Sequence, residues 1–395
     1  MSRATEVLQR ARGAVAGLSR LRAAAAAALG RMAAAVGRMP ALARLRAASA
    51  AALGKVVAAV DRVPALARAR AAAVSALRQV RSRPADAPPR GWVVVARKEL
   101  ADHLHSARLF VVAGLLGLSG VAAVYAVSGA VREVAPAASE APSLFLRLFI
   151  IPVENTPFAF VNLVALIGPL LGIAFGFDAI SSERNQRTLP RLLAQPIHRD
   201  DIINGKFVAG IAVIGILLTA LMAIVAAVGI IRLGIVPSAE DIGRMLVYLI
   251  VTVAYIGVWL AFALLLSVVL RRAATAALSA IGAWLVFSLL AGLLIRMLAG
   301  VFTTEGTLEN VELRQALSWL SPAIVHEQIT AALLRPELRT LGVILPEQAF
   351  RQVPGELPIG QSMLLVWPQM TALIALTVVM FAAAYVAFLR QEVRV

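Results

Sequence analysis

The stretch 175–206, FGFDAISSERNQRTLPRLLAQPIHRDDIINGK, sets acids, bases and hydroxyls closer together than the apolar sequence on either side of it. Asp178, Glu183, Arg184 and Arg187 precede Leu189, Leu192 and Leu193, and those leucines fall at i, i+3 and i+4, one face of a helix. Thr188 suits the N-cap, Pro190 the first turn, where a missing N–H costs little, and Pro196 ends the run. With Arg191 between its leucines, the spacing predicts a short amphipathic helix lying across the mouth of a larger body. The chemistry of such an element is docking: a knob that fits a groove on another protein.

Rival chemistries find less support. His103 and His105 form an H-x-H that could touch a metal, but on an amphipathic helix they read as two solvated side chains. Residues 325–330 read VHEQIT, where a zincin H-E-x-x-H would need histidine at the position of Thr330. No G-x-x-x-x-G-K-[ST] occurs, because Gly205 and Lys206 are followed by Phe207 and lack the upstream glycine, so the chain has no phosphate-binding loop of its own. Zero cysteines exclude disulfide scaffolds, thiolate zinc sites, iron–sulfur clusters and cysteine nucleophiles. The four histidines lie outside the apolar runs, which leaves no buried proton relay or Ser–His pair for a membrane enzyme.

The elements that must hold these residues are apolar. The 395 residues are 60% hydrophobic and 15% charged, with a mean hydropathy of +0.83. Soluble domains are nearer half apolar and a quarter charged, so lipid must solvate much of this chain. Runs at about 109–129, 158–177, 207–231, 245–270, 273–295 and 369–389 contain no Asp, Glu, Lys, Arg or His. One central charge costs roughly 2.5–3.5 kcal/mol on insertion scales, so these runs predict six spanning helices in an all-α polytopic membrane protein.

Arginine placement predicts the orientation. Arg97, Lys98 and Arg108 precede the first run; Arg184, Arg187, Arg191, Arg199 and Lys206 lie between the second and third. Arg271 and Arg272 separate the fourth from the fifth, and Arg390 and Arg394 follow the sixth. All fall on one side, which the positive-inside rule makes cytoplasmic, with both termini there and the cytoplasmic membrane of a prokaryote as the setting. The long external segment, 301–368, carries apolar pieces at 313–334 and 338–345, suited to short helices dipping into the membrane and broken by Pro322, Pro336, Pro346, Pro354 and Pro358.

Residues 1–90 differ from this body. They hold 17 Arg and Lys against 3 Asp and Glu, most of the net charge of +16. Leu18 opens LSRLRAAAAAALG, which returns from Leu42 as LARLRAASAAALG and, degraded, from Leu66 as LARARAAAVSALR, a period of 24 with Pro40 and Pro64 in phase. Ala, Leu and Arg favour helix broken at the prolines. The arm reads as a solvated Ala/Arg-biased tail, or as a binder of anionic lipid, an acidic protein surface or nucleic acid. The proline-rich stretch 81–90 ends it.

Three motifs in order resemble the permease subunits of type-2 ABC exporters. The family pattern of Asp, Glu, Thr-Leu, Leu-Leu, Pro and then Gly-Lys is met by Asp178, Glu183, Thr188 with Leu189, Leu192 with Leu193, Pro196, and Gly205 with Lys206. Residues 96–109, ARKELADHLHSARL, resemble the family's amphipathic elbow helix, with Lys98 and Glu99 as its Lys-Glu pair. LSWLSPA at 317–323 resembles its external Ser/Asn-Pro segment. Arg187 stands where the family usually has glycine, and Pro190 is unusual. Within the family the nearest likeness is to permeases associated with multicopper-enzyme maturation.

The resemblance covers residues 91–395 and implies a division of labour. The chain itself would bind no cofactor, while ATP and Mg²⁺ sit on a separate ABC ATPase subunit. Asp178, Glu183, Arg184, Arg187, Thr188, Leu189, Arg191, Leu192, Leu193 and Pro196 would form the cytoplasmic coupling segment that meets that subunit. A second permease copy or a paralogue would complete a dimer among membrane lipids. The alternative within the same resemblance is a non-transporting membrane anchor that passes ATPase strokes to an external partner.

Overall fold

The computed structural model describes residues 90–138, 144–150, 159–186, 198–233, 236–338 and 356–391, all within the unit Pro88–Val395. The basic arm therefore lies outside the described residues. Every regular element among the described residues is helical. In chain order these are α1 (Gly91–Leu104), α2 (Ala107–Ala138), α3 (Leu144–Ile150), α4 (Phe160–Gly176), α5 (Ser181–Asn185), α6 (Arg199–Leu233), α7 (Ala239–Val269) and α8 (Ala273–Trp284). A π-helical turn, Leu285–Leu290, leads into α9 (Ala291–Phe302), followed by α10 (Leu308–Ser318), α11 (Pro322–Leu334) and α12 (Ile359–Arg390).

Among the described residues six stretches are long and apolar enough to cross a membrane: Ala107–Tyr125, Phe160–Asn185, Arg199–Ile231, Ala239–Val269, Ala273–Phe302 and Ile359–Arg390. We number these spans 1 to 6. The count matches the charge-free runs, but the helices overrun them. Span 3 begins at Arg199 rather than 207, and span 6 at Ile359 rather than 369, with Pro368 inside the helix. Absence of charge marks the lipid-facing stretch, whereas backbone hydrogen bonding continues into the flanking polar residues. A proline forfeits a single backbone donor, which a long helix tolerates.

Span 4 is the centre of the bundle. Of its apolar window 61% is buried, against 11% for span 5. Small residues set its contact with span 2. A Cβ on Gly172 would lie 2.6 Å from the Ile256 carbonyl oxygen, and one on Gly176 would lie 2.8 Å from that of Leu260. Glycine at these positions lets the two backbones touch, the usual role of small residues between membrane helices. Tyr255 of span 4 then donates its hydroxyl to the Ala165 carbonyl of span 2 at 3.0 Å.

The segment between spans 5 and 6 folds back onto the bundle. Thr307 caps α10, and Ser321 caps α11 with Pro322 in its first turn. The Ser321 hydroxyl also donates to the Phe287 carbonyl in the π turn at 2.5 Å, which fastens α11 to span 5. Of the second piece expected to be helical, 338–345, all but Leu338 lies outside the described residues.

One buried cation organises that end. Arg244, 1% exposed, donates to the Leu333 carbonyl (2.8 Å), to Ser362 Oγ (3.1 Å), to Glu240 Oε1 (3.0 Å) and to the Leu357 carbonyl. It thereby satisfies the end of α11 and holds it to the start of span 6. His326 of α11 is fully buried against span 4, stacked on Tyr255 at 4.4 Å and sharing a hydrogen bond with Thr252 Oγ1 at 3.0 Å. His326 thus lies outside the six spans, as the sequence placed it, but the folded-back helix packs it against span 4 in the bundle interior.

Candidate functional site

The elbow helix α1 lies along the start of span 3 because Gly205 leaves room for it. A Cβ there would lie 2.6 Å from Val95 Cβ and 2.8 Å from the Trp92 carbonyl oxygen. Val95 and Glu99 form the buried stripe of α1, while Arg97, Lys98 and Asp102 face outward. The helix ends at Leu104, earlier than the 96–109 likeness implied. Ser106 then donates to the His103 carbonyl (2.7 Å) and accepts from the Leu109 N–H (3.3 Å), turning the chain into span 1.

Where span 2 ends, four neighbours fix the backbone. Arg108 of span 1 pairs with Asp178 at 2.6 Å, donates to the Ala174 carbonyl at 3.0 Å and lies over the Phe177 ring. Ser267 of span 4, fully buried, accepts from the N–H groups of Ile180 and Ser181 at 3.0 and 3.1 Å and so starts α5. Arg184 donates to the Val268 carbonyl of span 4 at 3.1 Å and to the Gln391 side chain just past span 6. Glu183 Oε1 meets Lys206 of span 3 at 2.8 Å.

Lys206 is the keystone. Only 6% exposed, it bridges Glu183 and, at 3.0 Å, Glu99 of the elbow helix. Burial alone would raise the Glu99 carboxyl, but the charges and hydrogen bonds of Lys206 and Lys98 override it and hold Glu99 below the ordinary carboxylate range. Burial would likewise lower Lys98, yet hydrogen bonds and charge from Glu99 and Asp102 raise it. Ile180, Ile202, Ile203, Val268 and Phe388 form a small apolar cluster at this end of the bundle.

The charged side chains line a cleft of about 390 Å³ that also holds His103. His103 packs on Phe175 with ring centroids 4.5 Å apart, and burial lowers its pKa, so it is a half-buried neutral imidazole rather than the solvated one its helix suggested. His105 remains exposed and bonds the Ala101 carbonyl. Among the described residues no three His, Asp or Glu side chains converge to hold a metal ion. The acids of the cleft are engaged with Lys206, Lys98 and Arg108, an arrangement that fastens helices together.

Of the residues singled out in the sequence, Asp178, Glu183, Arg184, Lys98 and Glu99 gather at this one end of the bundle. Arg187, Thr188, Leu189, Arg191, Leu192, Leu193 and Pro196 lie outside the described residues. Sequence reasoning did not single out Ser267, Gln391 or Arg108 as partners of the segment 178–186, and it met Lys206 as half of a Gly-Lys pair and as one of the basic residues that set the orientation. The one available signal was that each sits at the very end of an apolar run.

A family model, that of the ABC-2 family transporter proteins, matches residues 93–393. No curated protein matches the chain in a sequence comparison.

Proposed function

The chain belongs to the ABC-2 family of transporter proteins, multi-pass membrane permeases of ABC systems that are not themselves the ATPase, and on that premise we propose that it is the passive half of an ATP-driven exporter. In this reading ATP and Mg²⁺ reside on a separate ATPase subunit, which docks on the cytoplasmic side at the coupling segment running from Asp178 to Pro196. A second copy or a paralogue completes the pathway, and both termini are cytoplasmic. The thin packing of span 5, with 11% of its window buried, supports a partner on that face. The cargo is an amphiphile, since the charge-free runs offer no ion-pairing groups along a pathway.

One observation carries the coupling role. The segment 178–186, which leads into 187–197, is held by spans 1, 3, 4 and 6, and through Lys206 by the elbow helix. A displacement of segment 178–186 is therefore passed directly to the spans. Nucleotide binding on the partner biases an inward/outward equilibrium only through differential contact, and this is the segment where that contact is made.

The test is a pull-down of tagged protein from native membranes, with the ATPase rate of the eluate measured for the parent and for Glu183→Ala. We expect a nucleotide-binding subunit to co-elute, and the variant to lose it or to leave its ATPase insensitive to the permease. If no ATPase co-elutes in mild detergent, the reading fails. If the variant keeps both the subunit and its rate, the coupling role of Glu183 fails.

A further inference from the structure

Away from the charge cluster, toward the opposite end of the bundle, lies a crevice of about 320 Å³ between span 2, the π turn of span 5 and α11. Four polar side chains face it: Asn162, Ser288, Glu327 and Thr330. Apolar wall is supplied by Leu166 and Leu289. Thr330 is only 6% exposed, and its Oγ1 has no hydrogen-bond partner among the described residues. Buried hydroxyls in native proteins are nearly always satisfied, so one left open beside a cavity points to a ligand. Glu327 is exposed beside it and forms no ion pair among the described residues, so its charge is open to a cationic ligand. The wall opposite it is a π turn, a local widening of the helix often found where ligands bind.

The chemistry of the lining narrows the occupant. One carboxylate repels anions and falls short of the several oxygen ligands that Ca²⁺ or Mg²⁺ demands. No aromatic ring lines the crevice, so it lacks the cage that recognises quaternary ammonium. What it offers is one negative charge together with neutral oxygen acceptors from Asn162, Ser288 and Thr330, over an apolar wall. A primary ammonium has three N–H donors to place on such a set.

We propose that this crevice binds the primary ammonium group of an amphiphile, with Glu327 as its counter-ion, Thr330 and Asn162 as further acceptors, and Leu166 and Leu289 against the hydrocarbon. Calling that amphiphile the cargo rests on the permease reading; the binding site itself does not. Two sources share the chemistry, an aminolipid headgroup and a free long-chain amine.

The test uses the full chain in nanodiscs of phosphatidylcholine and phosphatidylglycerol, with radiolabelled dodecylamine as the probe and no nucleotide present. Saturable binding is expected, with dodecanol and dodecyltrimethylammonium competing at least about tenfold less well than unlabelled dodecylamine. Charge-assisted hydrogen bonds are the strong ones, so Glu327→Gln should weaken binding about tenfold or more, and Thr330→Val a few-fold. Should Glu327→Gln fail to fold, judged by its melting temperature, Asn162→Leu at the crevice mouth takes its place. Discs containing phosphatidylethanolamine separate the sources: suppression of dodecylamine binding identifies the lipid headgroup, and undiminished binding identifies the free amine. If dodecanol competes as well as dodecylamine, or a folded Glu327→Gln binds like the parent, the proposal is overturned. Such a failure leaves the ATPase pull-down untouched, and a failed pull-down leaves this binding intact.

Discussion

Replacing Lys206 by methionine tests the clamp that joins the elbow helix to spans 2 and 3. Methionine keeps the apolar stem and removes the ammonium, leaving Glu99 and Glu183 without their common partner at 3.0 and 2.8 Å. Breaking a fully buried ion pair costs about 3–5 kcal/mol. Here the two carboxylates keep 12% and 18% of their side-chain exposure, and Glu99 retains the exposed Lys98, so some hydration and pairing survive. We therefore expect about 3 kcal/mol, or roughly a hundredfold in the equilibrium for undocking α1. Hydrogen exchange over Gly91–Leu104 reads that equilibrium directly, because local opening exposes the amides. Adding Glu99→Gln to Lys206→Met should restore part of the protection by removing a charge that has lost its buried partner, the non-additivity expected of a contacting pair. The pH dependence has a fixed sign. Glu99 is held below its ordinary value, so its contribution is complete above about pH 4.5 and is lost only as pH falls through the lower folded value. Protection in the parent should not change through this pair between pH 8 and 6. Exchange in Lys206→Met equal to the parent, or strict additivity with Glu99→Gln, would refute the reasoning.

Two further outcomes follow from buried groups. Arg244→Met strips donors from the Leu333 carbonyl, Ser362 and Glu240 at a fully buried position, so we expect a loss of about 3–5 kcal/mol and a melting temperature lower by several degrees; an unchanged transition would mean that the end of α11 is held elsewhere. Burial pushes His326 down to about 3, so the folded state refuses a proton that the unfolded chain accepts below 6.5. The stabilisation is whole above pH 6.5 and falls by about 1.4 kcal/mol per unit between there and about 3. His326→Phe should therefore melt with a shallower pH dependence than the parent between pH 6.5 and 4.5, and parallel curves would contradict the assignment.

What the sequence made legible divides along physical lines. Charge-free runs announce spans because lipid excludes charge whatever the tertiary structure, so six helices were readable from composition and order alone. Their ends were not, since Arg199 and Lys206 belong to the same continuous helix as the apolar run they precede. Glu99 and Glu183 could be singled out by family likeness, but Lys206, more than a hundred positions from Glu99, becomes their partner only once Gly205 lets α1 lie on span 3. Ser267 and Gln391 are ordinary polar residues near span ends until the fold brings span 2 against them. Arg244 did leave a trace, an i,i+4 pair with Glu240 at the start of span 4. His326 lay within the apolar piece 313–334 that the sequence offered as a dipping helix, but its burial against Tyr255 and Thr252 depends on how α11 folds back onto span 4.

The two ends of the molecule are joined by unequal walls, and that inequality bears on how a stroke at one end reaches the other. Spans 2 and 4 meet backbone to backbone at Gly172 and Gly176, and Tyr255 ties span 4 to the Ala165 carbonyl, so the pair resists internal sliding. Span 2 carries Asp178 and Glu183 beyond its far turn and Asn162 near its first. A displacement of segment 178–186 therefore moves the Asn162 side of the crevice with it. The other side is span 5, which buries little of its surface in this chain and contains the π turn. α11 sits between them, fastened to span 5 through Ser321 and to span 4 through His326 and Thr252. The crevice thus lies between a tightly packed pair of spans and a span that buries little of its surface in this chain. In the exporter reading this is what transport requires, since a ligand shifts a conformational equilibrium only by binding its two states unequally. A polar pocket whose acceptors come from both walls would bind an ammonium group tightly when they close together and weakly when they part.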